Sequence, residues 1–549
     1  MSDESHRAGA PRDLVLSGPM GAGKSTVGKQ LARCLSLRFS DLDRRIVERE
    51  ERQIAALFAE GEARFRQAEA GAVQAWLNRP ASAPPEVLAL GGGTLENSEL
   101  AEALERRATI VGLSAPVDEL LGRLDEAAIA ARPLLSQATD RHSALTALIE
   151  SRRQGYSRAA VQIDTSGLTA ESVVIAVLRA LYSPQSGPWR TEATPLCPAE
   201  PSSQSVTFGR GAVPFVATRR AALLWDSNLP SWQSQPLLQI CRARVDDRLI
   251  ELPQPGGEAA KTPEVLLSLW RTLLQAGVDK DTPLWVAGGG TLTDLGGFVA
   301  HSFKRGLELQ LLPTTLLGQL DAALGGKNGI NLDTAKNAIG TTRLPHAVHI
   351  DPLFLLSLPE PEVRGAMAEA LKSGLIGDPG LVATIERETP AISEKCLPVL
   401  ESIAQRAAAV KLQIVARDLD EKDERRLLNF GHTLGHALET VGARRGRPIA
   451  HGDAVAIGMV FATYLAARLG VLEESSLLDR LPGVLKRLGL PSAPAPMRDD
   501  ERHEVLAALM HDKKRHSGVN VWVLPRGAGR LVCRTVDELD VAQTLEQFT

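Results

Sequence analysis

The sequence predicts an α/β fold in two domains, the second of which has an α/β half followed by an all-helical half. Three observations lead to this prediction. An apolar strand over 14–16 precedes a glycine loop and a helix over 25–35, which is how a parallel α/β sheet begins. A stretch rich in Pro, Ser and Gln over 183–205 lacks apolar periodicity and is typical of a linker. From about residue 360 to residue 515 the apolar spacing is nearly all helical.

Domain boundaries follow from these changes of pattern. The first domain closes with apolar residues at helical spacing over 170–182, and the second opens with strand-like runs such as 222–225 and 284–287. The predicted segments are a first domain at 1–182, a linker at 183–205, an α/β half at 206–355 and a helical half at 356–549. A cleft between two such halves is a common place for a small-molecule site.

Composition narrows the class of protein. At 549 residues the chain is too long for a single core. A net charge of −4 with 23% charged residues gives no dominant basic face, which argues against nucleic-acid or membrane-surface binding. The five cysteines are scattered without a CxxC pair and favour reduced thiols. The first residues are polar and no apolar run could span a bilayer, so a cytoplasmic location is expected.

The glycine loop of the first domain matches the phosphate-binding pattern G-x-x-x-x-G-K-[ST] over 18–25. Backbone N–H groups of such a loop surround nucleotide phosphates, Lys24 is expected to reach the β and γ oxygens, and the Ser25 hydroxyl can bind Mg²⁺. The expected ATP contacts are Gly21, Ala22, Gly23, Lys24, Ser25 and Thr26.

Further motifs follow the loop in a fixed order. They are Asp41-Leu-Asp43 after the second predicted strand, 61–66 with Glu69, the glycines 91–93 after an apolar run, Arg132 among small residues, and Arg152 four residues before Tyr156. Each is weak alone, because a loop Arg or Asp is usually a solvated surface residue. Together, over 12–182, they resemble shikimate kinase, a P-loop kinase with a parallel sheet.

That resemblance implies roles for the acceptor site. Asp43 would bind the shikimate hydroxyls and act as the candidate base, while Arg66 and Arg152 would hold the carboxylate. The Gly92 backbone would pass close to the ring, and Arg132, on a lid, would close over ATP and offset charge on the phosphoryl group. The resemblance thus implies ATP with Mg²⁺.

The densest chemistry of the second domain lies between residues 411 and 451. Arg425, Asn429, His432 and His436 are spaced 4, 3 and 4 apart, so a continuous helix would present all four on one face. A polar stripe is usually a solvated surface, but glycines interrupt this one and His451 follows it.

A carboxylate for these histidines stands upstream. Glu369 and Lys372 lie at i, i+3 on an otherwise apolar segment, a spacing that is normally a routine ion pair. Beside two or three histidines, the glutamate becomes a candidate ligand. One Glu and two His with an open position form a catalytic zinc set.

A cofactor signal comes earlier, where Gly288-Gly-Gly-Thr-Leu-Thr-Asp294 follows the apolar run 284–287. This strand and glycine turn could admit a pyrophosphate but is weak by itself. Around it stand the segments 257–261, 313–316, 321–331 and 336–337. With the later motifs, residues 206–540 resemble 3-dehydroquinate synthase in a dense and ordered match.

This second resemblance implies a metal, NAD and an anionic substrate. The implied ligands of Zn²⁺ or Co²⁺ are Glu369, His432 and His451. The implied NAD contacts are Asp226, Gly257, Glu258, Lys261, Gly289, Gly290, Asp294, Thr314, Thr315, Lys327, Lys336 and Ser357. The implied contacts of the heptulosonate phosphate substrate are Arg305, Asp321, Lys327, Asn337, Lys411, Arg425, Asn429, His436 and Lys513. Lys372, His436 and Asp321 would be catalytic, and Arg305 would reach the neighbouring subunit of a homodimer.

Two alternatives stay open at this point. Other sugar-phosphate cyclases share the plan of NAD and zinc, although Lys411, Arg425 and Asn429 read as a carboxylate site favour an acid substrate. A non-catalytic fusion kept as a regulator would be expected to lack Lys24, Asp43, Arg132 or a metal ligand, and all are present.

Overall fold

The computed structural model describes residues 12–80, 82–126, 129, 133–136, 138–183, 194–197, 204–211, 215–333, 335–515 and 521–548. Two compact units result, one of Met1–Glu192 with Cys396–Pro398 and one of Ala193–Lys395 with Val399–Thr549. Arg132 lies outside the described residues, as does the side chain of Lys513. Among the described residues, no helix combines the length and the apolar character that crossing a bilayer requires.

The first unit is built on a five-stranded parallel sheet in the order β2-β3-β1-β4-β5. Its strands are β1 (Asp13–Ser17), β2 (Arg38–Asp41), β3 (Glu86–Ala89), β4 (Ala108–Ser114) and β5 (Val161–Asp164). The central strands are buried on both faces, as the apolar run 14–16 predicts. After β3 the chain crosses β1 and continues in β4 on the other side. The carboxyl ends of β1 and β4 therefore flank a switch in strand order. Sheets of α/β proteins bind ligands at such a switch.

The helices of this unit cover the two faces of the sheet. They are α1 (Lys24–Leu35), α2 (Leu42–Glu50), α3 (Ile54–Ala59), α4 (Glu62–Leu77), α5 (Ser98–Arg107), α6 (Val117–Gly122), α7 (Pro133–Ser136), α8 (Arg141–Ser151), α9 (Arg153–Tyr156) and α10 (Ala170–Leu181). Helix α1 buries Val27, Leu31 and Leu35, which recur at helical spacing, and it follows the phosphate-binding loop directly.

The second unit contains a seven-stranded sheet in the order β6-β7-β14-β11-β10-β8-β9, parallel except for β6. Its strands are β6 (Thr194–Cys197), β7 (Ser205–Phe208), β8 (Thr218–Asp226), β9 (Val245–Gln254), β10 (Leu284–Gly288), β11 (Leu309–Pro313) and β14 (Ala347–Ile350). An antiparallel hairpin of β12 (Lys327–Leu332) and β13 (Ala335–Thr342) stands apart from it. The order reverses between β8 and β10, which again marks the carboxyl edge as a ligand site.

Helices alternate with the strands of this sheet, and the chain after β14 is mostly helical. They are α11 (Ser231–Arg242), α12 (Pro263–Gln275), α13 (Gly290–Ser302), α14 (Glu360–Gly377), α15 (Pro379–Arg387), α16 (Thr389–Ser393), α17 (Leu397–Arg417), α18 (His432–Arg444), α19 (His451–Arg468), α20 (Leu477–Arg487), α21 (Asp499–Arg515) and α22 (Glu538–Phe548). Short 3₁₀ segments lie at Thr94–Glu96, Glu258–Ala260, Phe303–Arg305, Pro352–Ser357 and Glu424–Asn429, and a π-helical turn at Gly318–Ala322.

The structure differs from the sequence-based expectations in three places. Strand β6 lies inside the predicted linker, because Thr194–Cys197 pairs with β7. The helical half also contains a hairpin of β15 (Val521–Gly527) and β16 (Arg530–Thr535). The segment from Arg425 to His436 is not one helix, since Gly431 has φ +80° and separates the 3₁₀ segment from α18. The expectation of four side chains on one helical face is therefore wrong.

Helix α19 approaches two other helical segments closely enough to require glycine. A Cβ on Gly458 would stand 1.8 Å from the carbonyl oxygen of Gly431, and a Cβ on Gly452 would stand 2.3 Å from that of Gly365 on α14. Both obstacles are backbone atoms, which cannot rotate away. The glycines thus allow α14, α18 and α19 to meet at one point.

We predict that Gly458→Ala lowers the free energy of unfolding by about 1–3 kcal/mol, because the new methyl group must push two backbones apart. Urea-induced unfolding of the full chain measures the change. The matched control is Gly483→Ala in α20, where the nearest atom to the new Cβ is the far end of Arg487 at 3.7 Å. This control should gain up to about 1 kcal/mol from helix propensity. Equal stabilities of the two variants would contradict the packing argument.

Candidate active sites

A cavity of about 920 Å³ lies where the first sheet's strands β1, β2 and β3 end. Its walls include the phosphate-binding loop over 20–26, Asp41, Asp43, Arg66, the glycines 91–93 and Arg152. Except for Arg132, which lies outside the described residues, every residue proposed from sequence for ATP and its acceptor lines this one cavity.

The loop end of the cavity is suited to phosphates and a divalent cation. Helix α1 begins at Lys24, so its first N–H groups point to the loop. The Lys24 ammonium donates to the carbonyl oxygens of Gly18 at 2.8 Å and Pro19 at 3.0 Å. The Ser25 hydroxyl donates to Asp41 Oδ2 at 2.5 Å. A hydroxyl beside a carboxylate at a helix start fits Mg²⁺, which prefers oxygen ligands.

At the other end, two guanidinium groups face a glycine loop. The Arg66 Nη1 lies 2.8 Å from Oε2 of the buried Glu69, whose other oxygen accepts from the Thr94 hydroxyl at 2.7 Å. Arg152 is 6% exposed, and a Cβ on Gly92 would stand 3.0 Å from its Nη1. Two held guanidinium groups around a loop without side chains can bind a carboxylate of a flat ring.

An aromatic pair and an arginine are among the lining residues that were not found from the sequence. Phe58 and Phe65 stack with ring centroids 4.3 Å apart, and both line the cavity. Arg123 also lines it and donates to the Thr165 carbonyl oxygen at 2.8 Å. An aromatic pair at helical spacing reads as core, and an arginine outside any motif reads as surface, so the sequence carries no signal for them.

Several of the proposed NAD residues lie at the carboxyl edge of the sheet of the second unit, on both sides of the switch between β8 and β10. Asp226 ends β8, and its Oδ1 accepts from the N–H of Gly256 at 2.9 Å. Gly289 and Gly290 connect β10 to α13, where a Cβ on Gly289 would stand 2.9 Å from Thr315. A strand that leads through a tight turn into the start of a helix, as here, can bind a dinucleotide.

The neighbouring candidates form a polar network beside that turn. The Lys261 ammonium is buried and lies 2.8 Å from Asp294 Oδ2, and it also contacts Asn337. Glu258 accepts from Asn331 at 2.7 Å. Three further candidates lie in the following places. Gly257 precedes the 3₁₀ segment 258–260, and Thr314 is buried after β11. Ser357 ends the segment 352–357, and its hydroxyl donates to the carbonyl oxygen of Phe354.

The helical half places Glu369, His432 and His451 together, one from each of α14, α18 and α19. Their possible ligand atoms lie within 4.8 Å of one another. The Nε2 atoms of His432 and His451 lie 3.4 Å and 3.3 Å from Glu369 Oε1. Neither oxygen of the buried Glu369 accepts a hydrogen bond of good geometry from the described residues, which leaves lone pairs for a cation. One carboxylate and two imidazoles fit zinc or cobalt.

Electrostatics at this cluster already favour a cation. Burial would raise the pKa of Glu369, but Lys372 and both histidines lower it well below its usual range. Burial and the charge of Lys372 lower the pKa of His432 to about 3, so this imidazole is neutral and free to bind a metal. Burial opposes a charge on His451, yet the neighbouring carboxylates of Glu369 and Glu439 raise its pKa to about 10. The surroundings of His451 therefore stabilise positive charge at this cluster.

Paired cations surround the metal cluster. Lys372 contacts Glu369, Lys411 contacts Asp321, and both lysines are buried or nearly so. Burial lowers the pKa of Lys411 despite Asp321, whereas Glu369 and Asp321 outweigh burial and raise the pKa of Lys372. An anionic ligand would find both charges already oriented.

A second group of cations and amides lies on the next segment. Arg425 is 2% exposed and donates to the carbonyl oxygens of Leu419 at 2.6 Å and Gly325 at 2.8 Å. Glu421 contacts Lys327 and accepts from Asn429 at 2.7 Å. The sequence did not point to Glu421, because it stands in a run of ordinary acidic surface residues. Because both contact Glu421, the side chains of Lys327 and Asn429 lie close to each other.

The remaining candidates are distributed as follows. His436 is exposed, with its ring centroid 5.3 Å from that of His432 and 6.4 Å from that of His451. Arg305 is exposed in a turn where it has φ +64° and Lys304 has φ +50°. Lys336 contacts Glu439, a residue that the sequence analysis missed because a helical glutamate is ordinarily solvated.

We predict that Glu369→Leu destabilises the metal-free protein by about 3–5 kcal/mol, because Lys372 keeps a buried charge without its carboxylate. Adding Lys372→Met should restore most of the loss. Urea-induced unfolding with a chelator present measures both variants. The matched control is Glu473→Leu, which removes exposed pairs with Arg526 and Arg530 and should change stability little. A single variant no less stable than this control would contradict the account.

Comparison with known proteins gives the following matches. Residues 20–182 match the family model of shikimate kinase. Residues 251–365 and 366–515 match those of the N-terminal and C-terminal domains of 3-dehydroquinate synthase.

Individual relatives agree with these models. A 3-dehydroquinate synthase of Dehalococcoides mccartyi (strain CBDB1) is 37% identical over 305 residues, which are 55% of this chain and 82% of that protein. One from Caldanaerobacter subterraneus subsp. tengcongensis is 36% identical over 332 residues, which are 60% of this chain and 91% of that protein. A solved 2-epi-5-epi-valiolone synthase from Streptomyces hygroscopicus subsp. jinggangensis 5008, with NAD⁺ and Zn²⁺ bound, has a TM-score of 0.58 and 27% identity, covering 66% of this chain and 99% of that one.

Proposed function

We propose that the two sites of this chain catalyse two reactions of aromatic biosynthesis. The premise is that the chain belongs to the 3-dehydroquinate synthase family and carries a shikimate kinase domain ahead of the synthase part. The first unit phosphorylates shikimate to shikimate 3-phosphate with ATP. The second converts 3-deoxy-D-arabino-heptulosonate 7-phosphate to 3-dehydroquinate and phosphate. The observation that carries the second assignment is the cluster of Glu369, His432 and His451 beside buried, paired lysines.

In the first unit, the residues of the cavity divide between donor and acceptor. Lys24 is drawn from the loop carbonyls to the β and γ oxygens of ATP, and Ser25 with Asp41 would hold Mg²⁺. Arg66 and Arg152 hold the shikimate carboxylate, which places a ring hydroxyl beside Asp43. Asp43 accepts the hydroxyl proton as the phosphoryl group transfers. Arg132 would offset charge on that group.

In the second unit, the carboxyl edge around Asp226, Gly289 and Lys261 would hold NAD, and the three-residue cluster would hold Zn²⁺ or Co²⁺. Bound NAD supplies a reversible hydride acceptor, and the bound metal polarises substrate hydroxyls. The chain's own residues orient the substrate and move its protons. The net conversion is redox-neutral, so NAD is needed in catalytic amount.

The lysines and arginine of the cleft anchor the substrate's two anionic groups. Lys411, Arg425 and Asn429 bind the carboxylate, and Lys327, Asn337 and Lys513 bind the phosphate or nearby oxygens. In the structure Lys411 is paired with Asp321 and Lys327 with Glu421. Substrate binding exchanges these carboxylates for substrate oxygens. Asp321 then becomes available to accept a hydrogen bond from a substrate hydroxyl.

Proton movement falls to residues beside the metal cluster. Lys372 stands against the metal-binding carboxylate and interacts with the reacting oxygen, where its charge stabilises developing negative charge. His436, exposed next to His432, assists departure of the phosphate as a proton donor or contact. An acid substrate is favoured over a sugar phosphate without a carboxylate because Lys411 and Arg425 can bind a second anionic group.

We also propose that the protein is a homodimer in the cytoplasm. Cys241, Cys396 and Cys533 form no disulfide, which favours a reducing compartment. Arg305 is exposed and held in a left-handed turn, a backbone conformation that costs free energy and therefore suggests a function for the side chain. We assign it to the phosphate subsite of the neighbouring subunit.

The two activities should be separable. Full-length protein with NAD and zinc should release phosphate from heptulosonate phosphate, and should consume ATP with shikimate. His432→Ala should abolish the first activity alone by removing a metal ligand. Lys24→Ala should abolish the second alone by removing the phosphate contact. Each variant is the folded control for the other.

Either of two results would contradict the synthase assignment. One is wild-type protein that binds NAD and zinc but releases no phosphate from heptulosonate phosphate, which would favour another sugar-phosphate cyclase. The other is full phosphate release by His432→Ala.

Mixed dimers test the role of Arg305. Arg305→Ala and His432→Ala should each lack phosphate release, but unfolding and refolding them together should restore about a quarter of wild-type activity. Half of the dimers are mixed, and one of their two sites is complete. The matched control mixes His432→Ala with Glu369→Ala, which leaves no complete site. Recovery no greater than in this control would show that Arg305 does not act in the partner's site.

A further inference from the structure

Helix α18 carries a third polar side chain on the face of its two histidines. Glu439 follows His432 by seven residues and His436 by three, so all three lie on one side of the helix. The side chain of Glu439 is only 14% exposed, and a glutamate is rarely buried to this extent unless it is paired. A carboxylate buried in this way needs polar or charged partners.

One oxygen of Glu439 faces the metal cluster. Its Oε2 lies 3.5 Å from Nδ1 of His451, while Nε2 of the same ring lies 3.3 Å from Oε1 of Glu369. The imidazole therefore stands between two carboxylates. A histidine that binds a metal through one nitrogen usually donates the other N–H to a carboxylate or carbonyl, which fixes the tautomer and the ring orientation.

The other oxygen of Glu439 faces the α/β half. Its Oε1 lies 3.3 Å from Nζ of Lys336, whose side chain is 63% exposed on β13. The carboxylate thus bridges the helix that carries His432 to the hairpin that carries a candidate NAD contact. By comparison, the Nδ1 of His432 faces the backbone carbonyl oxygen of Phe430 at 3.2 Å. The two histidines are oriented by different kinds of acceptor, and only that of His451 can be removed by substitution.

We propose that Glu439 is a positioning residue for the metal site: its carboxylate holds His451 with Nδ1 protonated and Nε2 directed to the ion, and Lys336 steadies that carboxylate from the opposite side. This inference rests on the proposed metal-binding role of Glu369, His432 and His451. It concerns the orientation of a ligand and assigns Glu439 no contact with substrate.

The test measures metal binding directly in the full-length protein. Zinc affinity is determined by competition with a chromogenic chelator, and the site is probed through the visible absorption spectrum of bound Co²⁺. Glu439→Ala should weaken zinc binding about 10–100-fold and alter the cobalt spectrum, because the His451 ring is no longer held. Glu439→Gln keeps an acceptor oxygen for Nδ1–H and should lose less. Lys336→Ala should change zinc affinity less than Glu439→Ala.

The matched control is Glu504→Gln, which removes one of the two carboxylate partners of Arg445, where Arg445 Nη2 lies 2.8 Å from Glu504 Oε1. It should keep wild-type affinity and spectrum. Unchanged zinc affinity and spectrum in Glu439→Ala would overturn the inference, as would an equal loss in Lys336→Ala. Wild-type protein that binds no metal would instead overturn the proposed metal site. Thermal unfolding confirms that each variant is folded.

Discussion

The burial of a single carboxylate, Glu369, is the constraint on which the helical half of the second unit depends. A carboxylate that is 1% exposed needs compensating positive charge, and Lys372 supplies it from one turn away on the same helix. Two imidazoles complete its surroundings, and they reach it because α14, α18 and α19 meet at backbone contacts such as Gly458 against Gly431. Close helix packing, charge balance and the capacity to bind a cation are thus properties of one arrangement.

Charge pairing extends this principle through the rest of the cleft and into the first unit. Lys411 is held by Asp321, Lys327 by Glu421, and in the first unit Arg66 by Glu69. In the proposed function, each pair keeps a cation oriented where an anionic group binds. Because the cations are already positioned, an anionic substrate loses less free energy in ordering them. In the proposed function, these ion pairs prepare both sites for acids and phosphates.

The sequence predicts the fold class and most of the candidate residues, but it fails where spacing depends on backbone geometry. The phosphate-binding loop is recognisable because its glycines, lysine and serine are contiguous. The spacing argument for Arg425 to His436 assumed a continuous helix, whereas the left-handed Gly431 ends a 3₁₀ segment and starts α18. Glu439 carries no signal in sequence, since only the fold brings His451 and Lys336 to it. Contacts between distant segments are what periodicity cannot supply.

The measurement that tests the central claim most directly is anomalous X-ray diffraction at the zinc edge from crystals of the full chain grown with zinc and NAD. The account predicts an anomalous peak within coordination distance of a Glu369 oxygen and of the Nε2 atoms of His432 and His451, with Lys372 displaced toward the open side. A bound zinc ion elsewhere, with the ion pair of Glu369 and Lys372 intact and this cluster empty, would contradict it.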